Sequence, residues 1–184
     1  AILSRGLGDV YKRQVSDQRI QLPLLNEFQN AAEEFGIPKT KDFNTGNNHG
    51  CGYFQVTEKD GFRCSTAVGY LNPIKHRTNL KIVTKAHVKK INFENKTTKS
   101  VEYWQENELK KVIVNKEVIL SSGSIGSPQI LQTSGIGNSD KLKNLGIEMV
   151  HDLKGVGENL QDHLMFRPIY KIHGLKSLNK KINS

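Results

Sequence analysis

The chain has 184 residues, of which 36% are hydrophobic and 24% charged, and this is enough for one domain with a core of its own. No apolar run approaches the ~18 residues that a membrane-spanning helix needs. The formal net charge of +9 comes mostly from Lys scattered along the chain, so it does not favour a nucleic-acid-binding surface, which would cluster Arg and Lys on one face.

The first residues differ in character from the rest. Residues 8–14 read GDVYKRQ, and Asp9 to Gln14 match the translation of a sequencing-library adapter, GAT-GTG-TAT-AAG-AGA-CAG. We therefore expect residues 1–14 to be a non-native tail and leave them out of the fold prediction. An ordinary basic amino-terminal tail is the alternative. The last residues, NKKINS, suggest no domain closure, so both ends indicate a segment of a longer protein.

Residues 15–75 predict a helix followed by turns. Apolar residues recur at helical spacing in LPLLNEFQNAAEEFG, with Pro23 near the start and Gly36 as the stop. Residues 42–61 are rich in Asn and Gly and predict turns. A second, short helix is expected near Ser65, where STAVGYLNP offers a serine cap and a proline stop.

The period then changes to two, which predicts strands from Leu80 to Val114. Polar turns are expected at Glu94 to Thr98 and at Gln105 to Glu108. The apolar residues that alternate before, between and after these turns predict an antiparallel meander, and Val88 is one of them. The next stretch, Glu117 to Leu120, is more continuously apolar and predicts a strand buried on both faces.

A serine- and glycine-rich motif follows that strand, SSGSIGSPQILQTSGIG at residues 121–137. Gly123 permits a positive φ or a close backbone approach, and a helix is expected to begin at Ser127 or Pro128 and to end at Gly135. The same pattern predicts a second helix with Ser139 as its cap, Leu142 and Leu145 directed inward, and Gly146 as its stop. A strand, a glycine turn and a helix in this order bring backbone N–H groups to a ligand at the edge of a sheet.

Other site motifs are absent from the sequence. Neither GIGNSD nor GVGENL completes the GxGxxG dinucleotide pattern, and no serine lies in a GxSxG nucleophile motif. The six histidines lack metal-binding spacing, and Cys51 and Cys64 form no CxxC pair. His163 beside Asp162 is a candidate acid–base residue, although a structural histidine in a polar loop is the favoured interpretation. Composition and spacing thus indicate an α/β or α+β domain and no metal site.

Four stretches together resemble the glucose–methanol–choline (GMC) family of flavin oxidoreductases. Residues 116–137, KEVILSSGSIGSPQILQTSGIG, resemble its second signature, and residues 142–163, ending in GVGENLQDH, resemble the stretch that follows it. Residues 38–73, with the words RCSTA and GYL, resemble its middle segment, and NLKIVTKAHVKKINF at 79–93 resembles its adenine-side strand. The choline dehydrogenase and related alcohol dehydrogenase branch is the most similar.

The resemblance implies an α/β fold, α+β within this segment, that forms part of an FAD-binding Rossmann-like domain with an antiparallel β-meander. Residues 15–75 would lead into the flavin domain, residues 76–160 would be its middle part, and residues 161–184 would begin a substrate domain. The implied function is oxidation of an alcohol, choline-like or another primary alcohol, to a carbonyl by hydride transfer to FAD. Family members also have an amino-terminal GxGxxG and a catalytic histidine, which we expect before and after this segment. The segment alone is therefore expected to be inactive, with no catalytic residue of its own.

The resemblance also assigns two cofactor-binding residues, Val88 and Gly123. The residue that matches Val88 bonds the adenine edge of FAD through its own backbone N–H and C=O. An adenine edge offers one donor and one acceptor, so a strand residue with a free amide matches it without side-chain chemistry.

Two hypotheses from other classes remain at this point, a nucleotide-binding module without redox chemistry and a basic nucleic-acid-binding protein. The expected partner is a small alcohol with an unidentified electron acceptor and no nucleic acid. We expect a bacterial, cytoplasmic protein, and a peripheral attachment to the inner membrane stays open.

Overall fold

The structure is a computed structural model that describes residues 13–174. One unit contains the residues up to Ile82 together with those from Pro168 onward, and a second unit spans Val83–Arg167. The expected non-native tail lies outside the described residues except for its last two positions, as does the part of the segment 161–184 beyond Gly174. The domain boundaries expected from the sequence stay predictions.

The predicted first helix is confirmed as α1, Pro23–Glu34, with the proline in the first turn, where it removes no helical hydrogen bond. Its N-cap residue, Leu22, offers no side-chain cap. The hydroxyl of Tyr53 contacts this end of the helix. It accepts a hydrogen bond from the N–H of the N-cap residue Leu22 at 3.3 Å and donates to Asn26 Oδ1 at 2.8 Å. No residue of α1 is buried, and Phe28 on its apolar face is half-exposed. Because α1 buries none of its residues, the hydrogen bonds of Tyr53 at its amino-terminal end contribute to holding it in place.

The turn-rich stretch contains one short hairpin, β1 (Glu58–Lys59) and β2 (Phe62–Arg63). Asp60 and Gly61 connect the strands with φ of 55° and 81°, the positive values that a two-residue type I′ turn requires. The expected short helix is a single π-helical turn, Ala67–Leu71, and the hydroxyl of Ser65 accepts the Val68 N–H at 3.3 Å. The serine therefore caps this turn as predicted.

The predicted meander is confirmed as three antiparallel strands in the order β3 (His87–Glu94), β4 (Thr97–Gln105) and β5 (Glu108–Ile113). Both connections are two-residue turns at the expected places. Asn95 and Lys96 have φ of 48° and 64°, and Glu106 and Asn107 have φ of 53° and 63°. Asn at such positions tolerates the left-handed conformation, and this conformation matches the twist of the strands.

Two predicted strands are not formed among the described residues. The stretch from Leu80 to Ala86 pairs with no strand there, and β3 begins only at His87. Glu117 to Leu120 is likewise unpaired, and Ile119 is 80% exposed rather than buried. The physical reason is shared: a strand needs a hydrogen-bonded neighbour, and none of the strands between residues 13 and 174 runs beside these two stretches.

The helix of the glycine-rich motif, α2, spans Gly123–Thr133 and so begins earlier than predicted. Pro128 lies inside it rather than at its start. The hydroxyl of Ser127, one of the two residues at which the sequence predicts the helix to begin, accepts the Ser122 N–H at 3.0 Å. This bond satisfies a donor just before the helix, so the first turn closes ahead of the proline. Gly135 ends α2 with φ of 87°, as predicted.

The next helix, α3, spans Ser139–Asn144, and two details of its prediction are wrong. Its cap is Asn138, whose Oδ1 accepts the Lys141 N–H at 3.1 Å, rather than Ser139. Leu142 is 1% exposed as expected, but Leu145 is 72% exposed. The helix connects two short parallel strands, β6 (Ile136–Gly137) and β7 (His151–Asp152). Only the side of α3 that carries Leu142 is buried.

Replacing Asn138 with alanine is expected to lower the free energy of unfolding by about 1 kcal/mol, the usual cost of removing a helix cap. Ser139→Ala, one residue further on, should change it by less than about 0.5 kcal/mol. Denaturant titration of both variants measures the difference. A larger loss for Ser139→Ala would restore the serine as the cap.

Candidate functional site

A cleft lies between the start of β3 and one side of α2. Its volume is about 380 Å³, within the range of sites that hold small molecules. The lining comes from three parts of the chain that the meander and α2 bring together: Ala86, His87, Val88 and Lys89 from β3 and the residue before it, Trp104 from β4, and Ser122, Gly126, Gln129, Ile130 and Thr133 from α2 and the residue before it.

Two hydroxyl groups at the end of α2 fix β3 beside the helix. Ser134 is buried, and its Oγ accepts the Ile91 N–H at 2.8 Å while it donates to the Ile130 carbonyl at 2.5 Å. Thr133 Oγ1 donates to the Lys89 carbonyl at 3.1 Å. β3 is an edge strand, so these side chains satisfy backbone groups that a further strand would otherwise pair. They also set the width of the cleft.

The pairing of the strands determines where the backbone of Val88 points. Because the Ile91 N–H donates to Ser134, the pair of Ile91 and Val101 is one of the non-hydrogen-bonded pairs of the ladder. Tyr103 lies two residues beyond Val101 on β4, so its backbone groups also point toward β5. Val88 is paired with Tyr103, and its N–H and C=O are therefore directed to the outer edge of β3. A half-buried strand residue with an outward amide is what the adenine contact requires.

Gly123, the second predicted cofactor residue, is the first residue of α2 and is exposed next to the cleft-lining Ser122. Its φ is 81°, so the sequence prediction of a positive φ is confirmed. A Cβ at this position would meet no atom within 4 Å. The glycine is thus required by its backbone conformation and leaves open space before it.

The charge of the lining is one-sided. His87 and Lys89 are the ionisable residues that line the cleft, and no carboxylate joins them. Lys89 occupies a β-bulge between Val88 and Lys90, and its side chain lies on the same face of the sheet as Trp104 and Glu102. Its ammonium lies 5.9 Å from the centre of the Trp104 ring and 4.0 Å from Glu102 Oε2. Because no carboxylate of the described residues lines the cleft, the lining does not repel an anionic ligand.

His163 does not form an acid–base pair in this structure. It is exposed, and its hydrogen bond to Asp162 Oδ1, at 2.8 Å, is donated by the backbone N–H rather than by the imidazole. Between residues 13 and 174, no group of His, Cys, Asp or Glu side chains is arranged to hold a metal ion.

Trp104 and Lys89 were not predicted as site residues from the sequence. Strict alternation assigns successive residues to opposite faces, and a bulge is invisible to it. The only available signal was the chain's single tryptophan placed near the end of a predicted strand.

The combination of this meander, the glycine turn and α2 defines the class. The structure superposes with a TM-score of 0.71 on an FAD-dependent oxidoreductase from Chaetomium thermophilum, which is 33% identical, over 80% of this chain and 26% of that one. The fold is that of part of the Rossmann-like cofactor domain of flavin oxidoreductases, as predicted.

The match to a family model is more specific. The model of GMC oxidoreductase matches residues 12–165, and the chain belongs to this family, whose cofactor is FAD. The oxygen-dependent choline dehydrogenase of Photobacterium profundum is 41% identical over 87% of this chain and 28% of its own length. The alcohol dehydrogenase [acceptor] of Pseudomonas putida is 43% identical over 82% of this chain and 28% of its own length. The chain thus spans little more than a quarter of these relatives.

Family membership confirms the resemblance drawn from the sequence, including its choline and alcohol dehydrogenase branch. The hypotheses of a nucleotide-binding module without redox chemistry and of a nucleic-acid-binding protein lose their support, since the named relatives are oxidoreductases. Among the residues described, no helix has both the length and the apolar character to cross a membrane.

Proposed function

We propose that this chain forms part of the FAD-binding domain of an enzyme that oxidises a primary alcohol, choline or a similar compound, to a carbonyl. Its family and the names of its relatives support this function. The electron acceptor stays unassigned, and the expected cytoplasmic location stays a prediction.

One observation carries the proposal: Val88 lines the cleft together with Ser122, the residue before Gly123, so the cleft lies beside both positions where the sequence predicts cofactor contacts. The outward N–H and C=O of Val88 match the edge of an adenine base. The exposed first turn of α2 offers backbone N–H groups near Gly123, and helix amino termini attract phosphate. No carboxylate in the described part of the chain lines the cleft, so the lining does not repel a pyrophosphate-bearing ligand.

The residues of this chain would bind and orient the cofactor, and we assign none of them to proton transfer. Bound FAD would supply the hydride acceptor for the alcohol. Ser134 and Thr133 would hold the edge of β3 at the adenine end of the cleft. The base that takes the hydroxyl proton is expected in another part of the enzyme.

The test uses the full-length enzyme that carries this chain. We expect it to release one FAD per chain on denaturation, and we expect choline or another primary alcohol to reduce the bound flavin in the absence of oxygen. The measurement is the loss of oxidised-flavin absorbance across a panel of alcohols. An enzyme without flavin, or one whose flavin no alcohol reduces, would refute the proposal.

Gly123 provides a residue-level prediction with a matched control. Gly123 and Gly146 have φ of 81° and 67°, and a Cβ would meet no protein atom within 4 Å at either one. Alanine at either position should cost roughly 1–2 kcal/mol of folding free energy through the same backbone strain. Only Gly123→Ala should weaken FAD binding, by about tenfold, because its methyl group would enter a close contact with the cofactor.

Both dissociation constants are measured by titrating the apoenzymes with FAD. Equal FAD affinity for Gly123→Ala and Gly146→Ala would remove Gly123 from the cofactor site and leave it a purely conformational role.

A further inference from the structure

The cleft has an aromatic wall that neither the family match nor the relatives' names assign to a role. Trp104 lines it and is 41% exposed, although it lies in the central strand of the meander. Tryptophan is the most costly side chain to leave in water, and an exposed one beside a cleft is informative.

The direction of the Val88 backbone fixes how a base would lie in this cleft. A base that bonds an edge strand through backbone N–H and C=O continues the plane of the sheet. Its flat faces then point to the same two sides as the side chains of the sheet. Trp104 is paired with His87, the neighbour of Val88, and lines the same cleft as Val88.

The indole lies next to a chain of polar contacts. Asn92 Nδ2 donates to Glu102 Oε1 at 3.0 Å, and Glu102 Oε2 lies 4.0 Å from the ammonium of Lys89. That ammonium in turn lies 5.9 Å from the centre of the Trp104 ring, a distance at which cations are attracted to the ring. Lys89 lies two residues from His87, which is paired with Trp104, so its side chain is on the same face of the sheet as the indole.

We propose that Trp104 is a nucleotide-binding residue whose indole contacts the face of the adenine ring. The inference rests on the proposed use of FAD and adds a determinant of preference for adenine-containing cofactors. FMN has the flavin and a phosphate but no adenine, so it does not use this contact.

The test compares Trp104→Phe with Trp104→Leu in the full-length apoenzyme. Both changes shorten the side chain and keep it apolar, but only Phe keeps an aromatic face. We expect the dissociation constants for FAD and ADP to rise roughly tenfold in the Leu variant, as for the loss of one base–aromatic contact, and to rise less than about threefold in the Phe variant. FMN binding should be the same in both.

Equal ADP affinity in the Leu and Phe variants would overturn the inference while leaving FAD use intact. A wild-type apoenzyme that binds no FAD would instead overturn the proposed function itself. Fluorotryptophan labelling gives a measurement that does not depend on the Leu variant folding. The fluorine resonance of Trp104, identified by its loss in Trp104→Phe, should shift on addition of ADP and not of FMN, and an unmoved resonance at saturating ADP would also overturn the inference.

Discussion

Replacing Val88 with proline in the full-length enzyme is expected to weaken FAD binding by about 1–3 kcal/mol, roughly 5- to 150-fold. Proline has no N–H, so the proposed adenine contact would lose its donor and leave the base acceptor unsatisfied. The fold should tolerate the change, because the N–H of Val88 is directed away from β4 and carries no ladder hydrogen bond. Edge strands are where proline is accepted.

Val88→Ile is the matched control, since it keeps the backbone N–H and a β-branched side chain. We expect its FAD affinity to stay close to that of the wild type. Flavin fluorescence during reconstitution of the apoenzyme measures all three proteins. If the folded proline variant binds FAD as tightly as the wild type, Val88 is not the adenine contact.

Leu142→Ala is expected to lower the free energy of unfolding by about 2–5 kcal/mol, the usual cost of a cavity in a packed site. Leu142 is 1% exposed in α3, whereas Leu145 in the next turn is 72% exposed. Leu145→Ala should therefore change stability by less than about 0.5 kcal/mol. Both variants are compared by denaturant titration, followed through tryptophan emission. Similar losses at the two positions would mean that Leu145 is covered in the complete enzyme.

The sequence was sufficient wherever a residue's own backbone decides the structure. Asn95 and Asn107 lie in two-residue turns between alternating strands, and both hairpins form where this pattern predicts them. Pro23 begins α1, and Gly123 has the positive φ that its place in the motif predicts. These features depend on turn chemistry within a few residues, which no distant contact changes. The family resemblance, which rests on short sequence motifs, predicts FAD as the cofactor.

Only the tertiary structure decided which apolar residues are buried and which strands are paired. Glu117 to Leu120 has the composition of a buried strand, yet no described strand pairs with it, and Ile119 is exposed. Leu142 and Leu145 have the same residue type and lie three residues apart, in α3 and directly after it, but only Leu142 is covered. Burial and pairing depend on a partner surface that the local sequence does not encode.

The residues of the candidate site also fall into two groups, those that the sequence predicts and those that only the tertiary structure reveals. Val88 and Gly123 could be named from the sequence, because each is identified by a motif. Trp104 and Lys89 could not, because their place in the cleft depends on the register of β3 against β4, which includes a bulge between Val88 and Lys90. Register is a property of two strands together, so it is determined only when the chain folds.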